Sequence, residues 1–100
     1  NGLFVAVGDS GKIATSPDGI TWTLRTSSFG TSAINEITYG NGLFVAVGDS
    51  GKIATSPDGI NWTQGTSSFG TNTISGIGYG NGLFVAVGAK GMIATSQYKG

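Results

Sequence analysis

The fold of this chain is decided by residues 1–20, which read NGLFVAVGDSGKIATSPDGI. The same twenty residues return unchanged at 41–60, and a modified copy follows at 81–96. The copies start 40 residues apart, so the 100-residue chain holds two and a half repeats. A period between about 20 and 50 residues indicates a repeat architecture, and the structure of one repeat therefore decides the fold.

Within one repeat the pattern predicts short β-strands separated by tight turns. Residues 2–8 are predicted to form a strand, in which successive side chains point to opposite faces. Both faces are apolar here, which predicts a strand covered on both sides. Ile34 and Ile37 are three residues apart, so the strand that carries them is expected to contain a bulge. Glycines are expected to supply the positive φ angles of the turns. Further strands are predicted at 12–16, 21–24 and 33–39, with turns at 8–11, 17–19 and 40–42 and a loop at 27–32.

Four short strands in 40 residues match one blade of a β-propeller. The predicted fold class is therefore all-β, with blades of four antiparallel strands and about two and a half blades per chain. Residues 1–100 form a single repeat region, divided into a partial blade 1–32, a full blade 33–72 and a partial blade 73–100. A β-solenoid or a β-rich filament is the alternative, although solenoid coils are usually shorter and lack two tight hairpins in each turn.

The composition excludes several classes of function. There is no Cys and no His, so the usual zinc sites, thiolate chemistry and histidine bases are absent, and no metal or cofactor is expected. Charged residues make up 10% and the net charge is zero, which argues against a nucleic-acid partner because such a partner needs a basic surface. No apolar run approaches the roughly 20 residues of a membrane span.

Residues 16–22 read SPDGITW and residues 56–62 read SPDGINW. These segments resemble the Asp-box, or bacterial neuraminidase repeat, of sialidase-like propellers, although one residue fewer separates the Asp from the Trp. The wider repeat resembles those of secreted bacterial proteins and phage structural proteins, which implies an extracellular or virion-associated location. The resemblance also implies that 33–39 forms the inner strand of a blade, followed by 42–48, 52–56 and an outer strand near 61–63.

The chemistry of these segments points to structural turns. Ser16 and Asp18 can accept backbone N–H bonds, Gly19 tolerates a left-handed conformation, and Trp22 brings a large apolar surface to hold the turn. The resemblance likewise implies a structural role that faces away from any catalytic side. The second copy repeats the set with Ser56, Asp58, Gly59 and Trp62.

An enzymatic function is not expected, and no catalytic residue is assigned. A sialidase-like site would need an arginine cluster and several acids. This chain has one arginine, Arg25, and one glutamate, Glu36, and they become Gly65 and Gly76 in the next repeat. Paired carboxylates for glycoside hydrolysis must face each other across a cleft, whereas the equivalent acids of the repeats belong to separate blades.

The positions that differ between repeats form a candidate ligand surface. They lie at loops and strand ends and leave the apolar pattern intact, so the differences indicate either a binding surface, for a glycan or another cell-surface ligand, or neutral drift. Tyr39 and Tyr79 could stack on sugar rings, but both follow an apolar strand and are interpreted as core. The candidate surface comprises Arg25, Glu36, Gln64 and Lys90.

The predicted strands number ten, so the first blade lacks its inner strand and the last lacks its outer strand. Bare strand edges and blade faces can template another chain. The expected function is thus a non-enzymatic propeller module whose partner is a copy of itself, forming a closed ring or, if the rotation does not close, a filament. The strands of two chains together suffice for about five four-stranded blades. If each chain instead keeps three blade positions, the ring has six or nine blades, some of which lack a strand. The alternative is that the chain is an excised piece of a longer propeller.

Overall fold

The computed structural model describes residues 3–25, 29–30, 32–40, 42–65 and 69–96. In this part of the chain ten β-strands form three antiparallel sheets, and no α-helix is present. The predicted turn residue Asn41 and part of the predicted loop 27–32 lie outside the described residues. The strands are β1 (Phe4–Val7), β2 (Ile13–Ser16), β3 (Thr23–Arg25), β4 (Ile34–Gly40), β5 (Leu43–Gly48), β6 (Ile53–Ser56), β7 (Thr63–Gln64), β8 (Ile74–Gly80), β9 (Leu83–Gly88) and β10 (Ile93–Ser96).

Each sheet is a simple meander in which consecutive strands are neighbours. The first sheet contains β1, β2 and β3, the middle sheet contains β4 to β7, and the last sheet contains β8, β9 and β10. The all-β prediction and the antiparallel strand order are therefore confirmed. The third strand of the first repeat was placed at 21–24 by the sequence and spans Thr23–Arg25 in the structure, because the preceding turn extends through residue 21.

In the turn that joins β1 to β2, the residues with a left-handed backbone lie in the second half of the turn. Ser10 has φ of 60° and Gly11 has φ of 69°, whereas Gly8 is extended with φ of −170°. Gly11 has a second reason to be glycine, because a Cβ there would collide with the carbonyl oxygen of Gly30. Since Gly30 belongs to the segment that leads into the middle sheet, this turn contacts the backbone that precedes the next sheet.

The predicted bulge is present in both complete copies of the fourth predicted strand. The register of β4 on β5 shifts between Ile34 and Glu36, and that of β8 on β9 shifts between Ile74 and Gly76. A regular strand would place residues three apart on opposite faces. The extra residue lets Ile34 and Ile37 contribute to the same core.

The three sheets pack one upon the next through two different apolar faces. We call them the valine face, formed by Leu3, Val5 and Val7 and their equivalents, and the phenylalanine face, formed by Phe4 and Ala6 and their equivalents. The valine face of the first sheet packs on the phenylalanine face of the middle sheet. The valine face of the middle sheet packs in the same way on the last sheet.

Among the sheets of the described residues, the middle one alone is covered on both sides. All six residues of β5 are buried, as the two apolar faces of this strand predict, whereas β1 and β9 are buried only in alternation or in part. Phe29 and Phe69 precede the first strands of the middle and last sheets, and each is buried between two sheets. The sequence predicts a loop around Phe29 and gives no sign that this residue belongs to the core.

Candidate functional site

The two Ser-Pro-Asp-Gly turns, residues 16–22 and 56–62, join β2 to β3 and β6 to β7. In the first turn, Ser16 Oγ accepts the Gly19 N–H at 2.7 Å and donates to Asp18 Oδ1 at 2.9 Å. The same Oδ1 atom accepts the N–H groups of Ile20 at 2.8 Å and Thr21 at 3.0 Å. Two short polar side chains thus satisfy most of the N–H groups that this turn directs inward.

The second turn repeats this geometry and adds one bond. Ser56 Oγ accepts the Gly59 N–H at 2.7 Å, and Asp58 Oδ1 accepts the N–H groups of Ile60 and Asn61, each at 2.9 Å. In addition, Asn61 Nδ2 donates to Asp58 Oδ2 at 3.0 Å. The one-residue shortening relative to the Asp-box pattern therefore does not prevent the turn from closing.

Both aspartates are held in the charged form by these bonds. The N–H groups of Thr21 and Ile20 lower the pKa of Asp18, since each bond favours the carboxylate over the acid. The N–H groups of Asn61 and Ile60 hold the pKa of Asp58 well below its ordinary range. A carboxyl held as an anion at the end of an exposed turn suits a structural acceptor and is a poor general acid.

Each turn ends on a tryptophan whose burial depends on its sheet. The Nε1 atoms of Trp22 and Trp62 donate to the carbonyl oxygens of Gly19 and Gly59, at 3.2 and 3.0 Å. Trp62 packs against the core between the first and middle sheets, with its ring 6.4 Å from that of Phe44. Trp22 is 44% exposed, because its face of the first sheet has no neighbouring sheet.

The candidate ligand residues stand on three different sheets. Arg25 ends β3, and its Nε donates to Thr15 Oγ1 at 2.9 Å. Glu36 and Gln64 belong to β4 and β7, the two opposite edges of the middle sheet. Lys90 lies in the turn between β9 and β10 with φ of 63°. The structure therefore does not gather these four residues into one pocket, and Glu36 is engaged by the Ile77 N–H at 3.1 Å.

Large apolar side chains lie exposed on the two outer faces of the stack. On the phenylalanine face of the first sheet these are Phe4, Trp22 and Leu24. On the valine face of the last sheet they are Val87 and Ile93. Sequence alone could not reveal which copies are exposed, because Phe4 and Phe44 lie in identical segments. These two faces are candidate binding surfaces of the described chain.

Metal and membrane sites are not indicated in the part of the chain that the structure describes. There, no group of three or more His, Cys, Asp or Glu side chains is arranged to hold a metal ion. No helix of the described ranges is long and apolar enough to cross a membrane. Comparisons with known proteins found no matching family model, no matching curated protein and no matching solved structure.

Proposed function

We propose that this protein is a non-enzymatic β-propeller module that assembles with identical copies into a closed ring. In this proposal each sheet is one blade, and the Ser-Pro-Asp-Gly turns are Asp-boxes that tie the third strand of a blade to the fourth. The position of the turns between β2 and β3 and between β6 and β7 agrees with that role. Their local hydrogen bonds supply stability to the turn and offer no reacting group.

The blade assignment is supported by the way in which the first strands of two sheets meet. Asn35 Nδ2 of β4 donates to the Ile74 carbonyl oxygen of β8 at 2.9 Å. Glu36 Oε1 of β4 accepts the Ile77 N–H of β8 at 3.1 Å. First strands that lie side by side, with the remaining strands fanning outward, are what a propeller axis requires.

The observation that carries the assembly proposal is the unequal burial of equivalent residues. Phe4 is 55% exposed, whereas Phe44 is 5% exposed because the valine face of the first sheet covers it. Val87 is 42% exposed, whereas Val47 is fully buried against the last sheet. The two exposed outer faces are thus the two halves of a contact that the chain already makes twice.

A copy that places its valine face on the phenylalanine face of the next copy would repeat this internal contact. Such a contact is heterologous, and it closes into a ring when the rotation per sheet divides a full turn. Each Phe, Leu or Val side chain that becomes fully buried contributes about 1.5–3 kcal/mol, so several together can offset the cost of association. If the rotation does not close, the same contact produces a filament, which is the alternative structural role.

The proposal is tested by measuring the native mass of the chain and of two blocked variants. Phe4→Lys with Leu24→Lys blocks one outer face, and Val87→Lys with Ile93→Lys blocks the other. All four positions are exposed, so both variants are expected to fold. We expect each variant alone to be monomeric and an equimolar mixture to form a dimer and nothing larger, because one intact pair of faces remains.

The matched control is Thr63→Lys with Gln64→Lys, which adds the same two positive charges at exposed positions of the middle sheet and is expected to retain the wild-type mass. A wild-type chain that is folded and monomeric at micromolar concentration contradicts the assembly proposal. Electron microscopy of the wild-type particles separates discrete rings from long filaments.

A further inference from the structure

A groove of about 170 Å³ opens beside β1, between the first and middle sheets. The strand β1 pairs with β2 on one side only, whereas β5 and β9 pair with strands on both sides. The groove therefore runs along the free edge of β1. It is lined by Leu3, Val5, Ile37, Thr38, Tyr39 and Phe44.

The equivalent place between the middle and last sheets is closed. The residues that correspond to the lining of the groove form a continuous core there, and the strand β4 lies over them. The corresponding residues are Leu43, Val45, Ile77, Tyr79 and Phe84. The groove thus lies where a first strand would pair with β1 if the first sheet had the same four strands as the middle sheet.

The absence of such a strand from the described first sheet is visible in the burial of the lining. Ile77 is buried beneath β4, whereas Ile37 is only half-buried. Tyr79 is half-buried, whereas Tyr39 is 42% exposed. Ile37 and Ile77 are equivalent residues of the same type, as are Tyr39 and Tyr79, so residue type does not explain these differences and the covering strand does.

The contacts of β4 with β8 indicate what the groove would recognise. Besides the bonds of Asn35 and Glu36 to the β8 backbone, the Cα of Gly40 lies so close to the Tyr79 ring that a Cβ would overlap it. The ring of Tyr39 also packs on Phe44, with centroids 4.6 Å apart. By the 40-residue equivalence, the corresponding features are Ile37 and Tyr39 in the lining of the groove and, outside that lining, the backbone of Ile34 and the ring of Phe4 on the other face of β1.

We propose that this groove is an acceptor site for an extended peptide strand with the pattern of β4. The incoming strand pairs antiparallel with the free edge of β1, as β4 pairs with β5. Main-chain bonds supply affinity, and selectivity comes from a glutamate at the bulge, a tyrosine over Phe4 and a glycine against Tyr39. This site does not depend on ring closure, because every residue of the groove belongs to one chain.

The test uses a fluorescent synthetic peptide with the sequence of residues 33–42, AINEITYGNG, titrated with the full chain. The chain carries Val87→Lys and Ile93→Lys, which block the valine face of the last sheet and leave the groove untouched. We expect saturable binding with one peptide per chain. Methyl resonances of Leu3, Val5 and Ile37 are expected to shift on binding, whereas those of Val85 on the last sheet are not.

The substitutions that test the groove are carried by matched peptides, so the same chain is used in every titration. Gly40→Val in the peptide is expected to weaken binding at least about tenfold, because the new side chain would meet Tyr39. Tyr39→Ala in the peptide is expected to weaken binding by loss of the contact with Phe4. Absence of saturable binding, equal binding of the glycine and valine peptides, or shifts confined to the last sheet would overturn the proposal. Peptide binding to the blocked chain, together with a wild-type chain that stays monomeric, would support the groove and contradict the ring.

Discussion

Gly51 and Gly70 approach each other so closely that a Cβ on Gly51 would overlap the carbonyl oxygen of Gly70. Gly51 ends the turn after β5, and Gly70 follows Phe69 in the segment that leads into the last sheet. The same relationship joins Gly11 to Gly30 one repeat earlier. A turn of each sheet is thus fitted against the backbone that starts the next sheet, which fixes the spacing between them.

We expect Gly51→Ala to destabilise the chain by about 3 kcal/mol. It combines the left-handed φ of 69°, which costs a non-glycine residue roughly 1–2 kcal/mol, with a backbone collision that cannot relax easily. The control is Gly82→Ala, where φ is 77° but nothing lies within 4 Å of a Cβ. It should cost only about 1 kcal/mol by urea unfolding. Equal losses would show that the close approach is unimportant.

Ser56→Ala is expected to cost about 1–3 kcal/mol. The Ser56 side chain is fully buried, and its loss leaves the N–H of Gly59 without its 2.7 Å acceptor. Ser96 occupies the equivalent place at the end of β10 but is exposed. Ser96→Ala should therefore change the free energy of unfolding by less than about 0.5 kcal/mol. A comparable loss for both serines would contradict the structural role of the turn.

Acid should weaken the fold through the two turn aspartates. The pKa values of Asp18 and Asp58 are lower in the folded chain than their ordinary value of 3.8, so their contribution is fully present above that value. It is lost as the pH falls from about 4 through the lower folded pKa values. We expect the midpoint temperature of thermal unfolding to decrease as the pH is lowered below 4. The midpoint of the double variant D18N/D58N should decrease less over the same range. An equal decrease of the midpoint in the wild-type chain and in the variant would show that these two aspartates do not cause the loss of stability in acid.

Phe69→Ala should be the most damaging of these substitutions, with a loss of about 3–5 kcal/mol, because Phe69 is buried between the middle and last sheets. The milder Phe69→Leu keeps a measurable transition if the alanine variant does not fold. Ile20→Ala, at an exposed turn position, should change stability by less than about 0.5 kcal/mol. A small loss for Phe69→Leu, measured in urea, would mean that this ring is not part of the core.

Much of the fold follows from local pattern. The alternation of apolar residues predicts the strands, and the three-residue spacing of Ile34 and Ile37 predicts the bulge that the register shows. The bonding of Ser56 and Asp58 to nearby N–H groups also follows from local chemistry. The burial of Phe69 could not be predicted in this way, because its segment has no strand periodicity. The residues that bury it belong to the middle and last sheets.

The sequence by itself determined that this protein is a chain of repeated β units, since strand alternation and turn chemistry act over a few residues. It could not determine which unit is buried. Residues 1–20 and 41–60 are identical, yet Phe4 is exposed on an outer face and Phe44 is buried. Only the tertiary structure decided that difference, because burial depends on the neighbouring sheet that covers a residue and not on the residue or its local conformation.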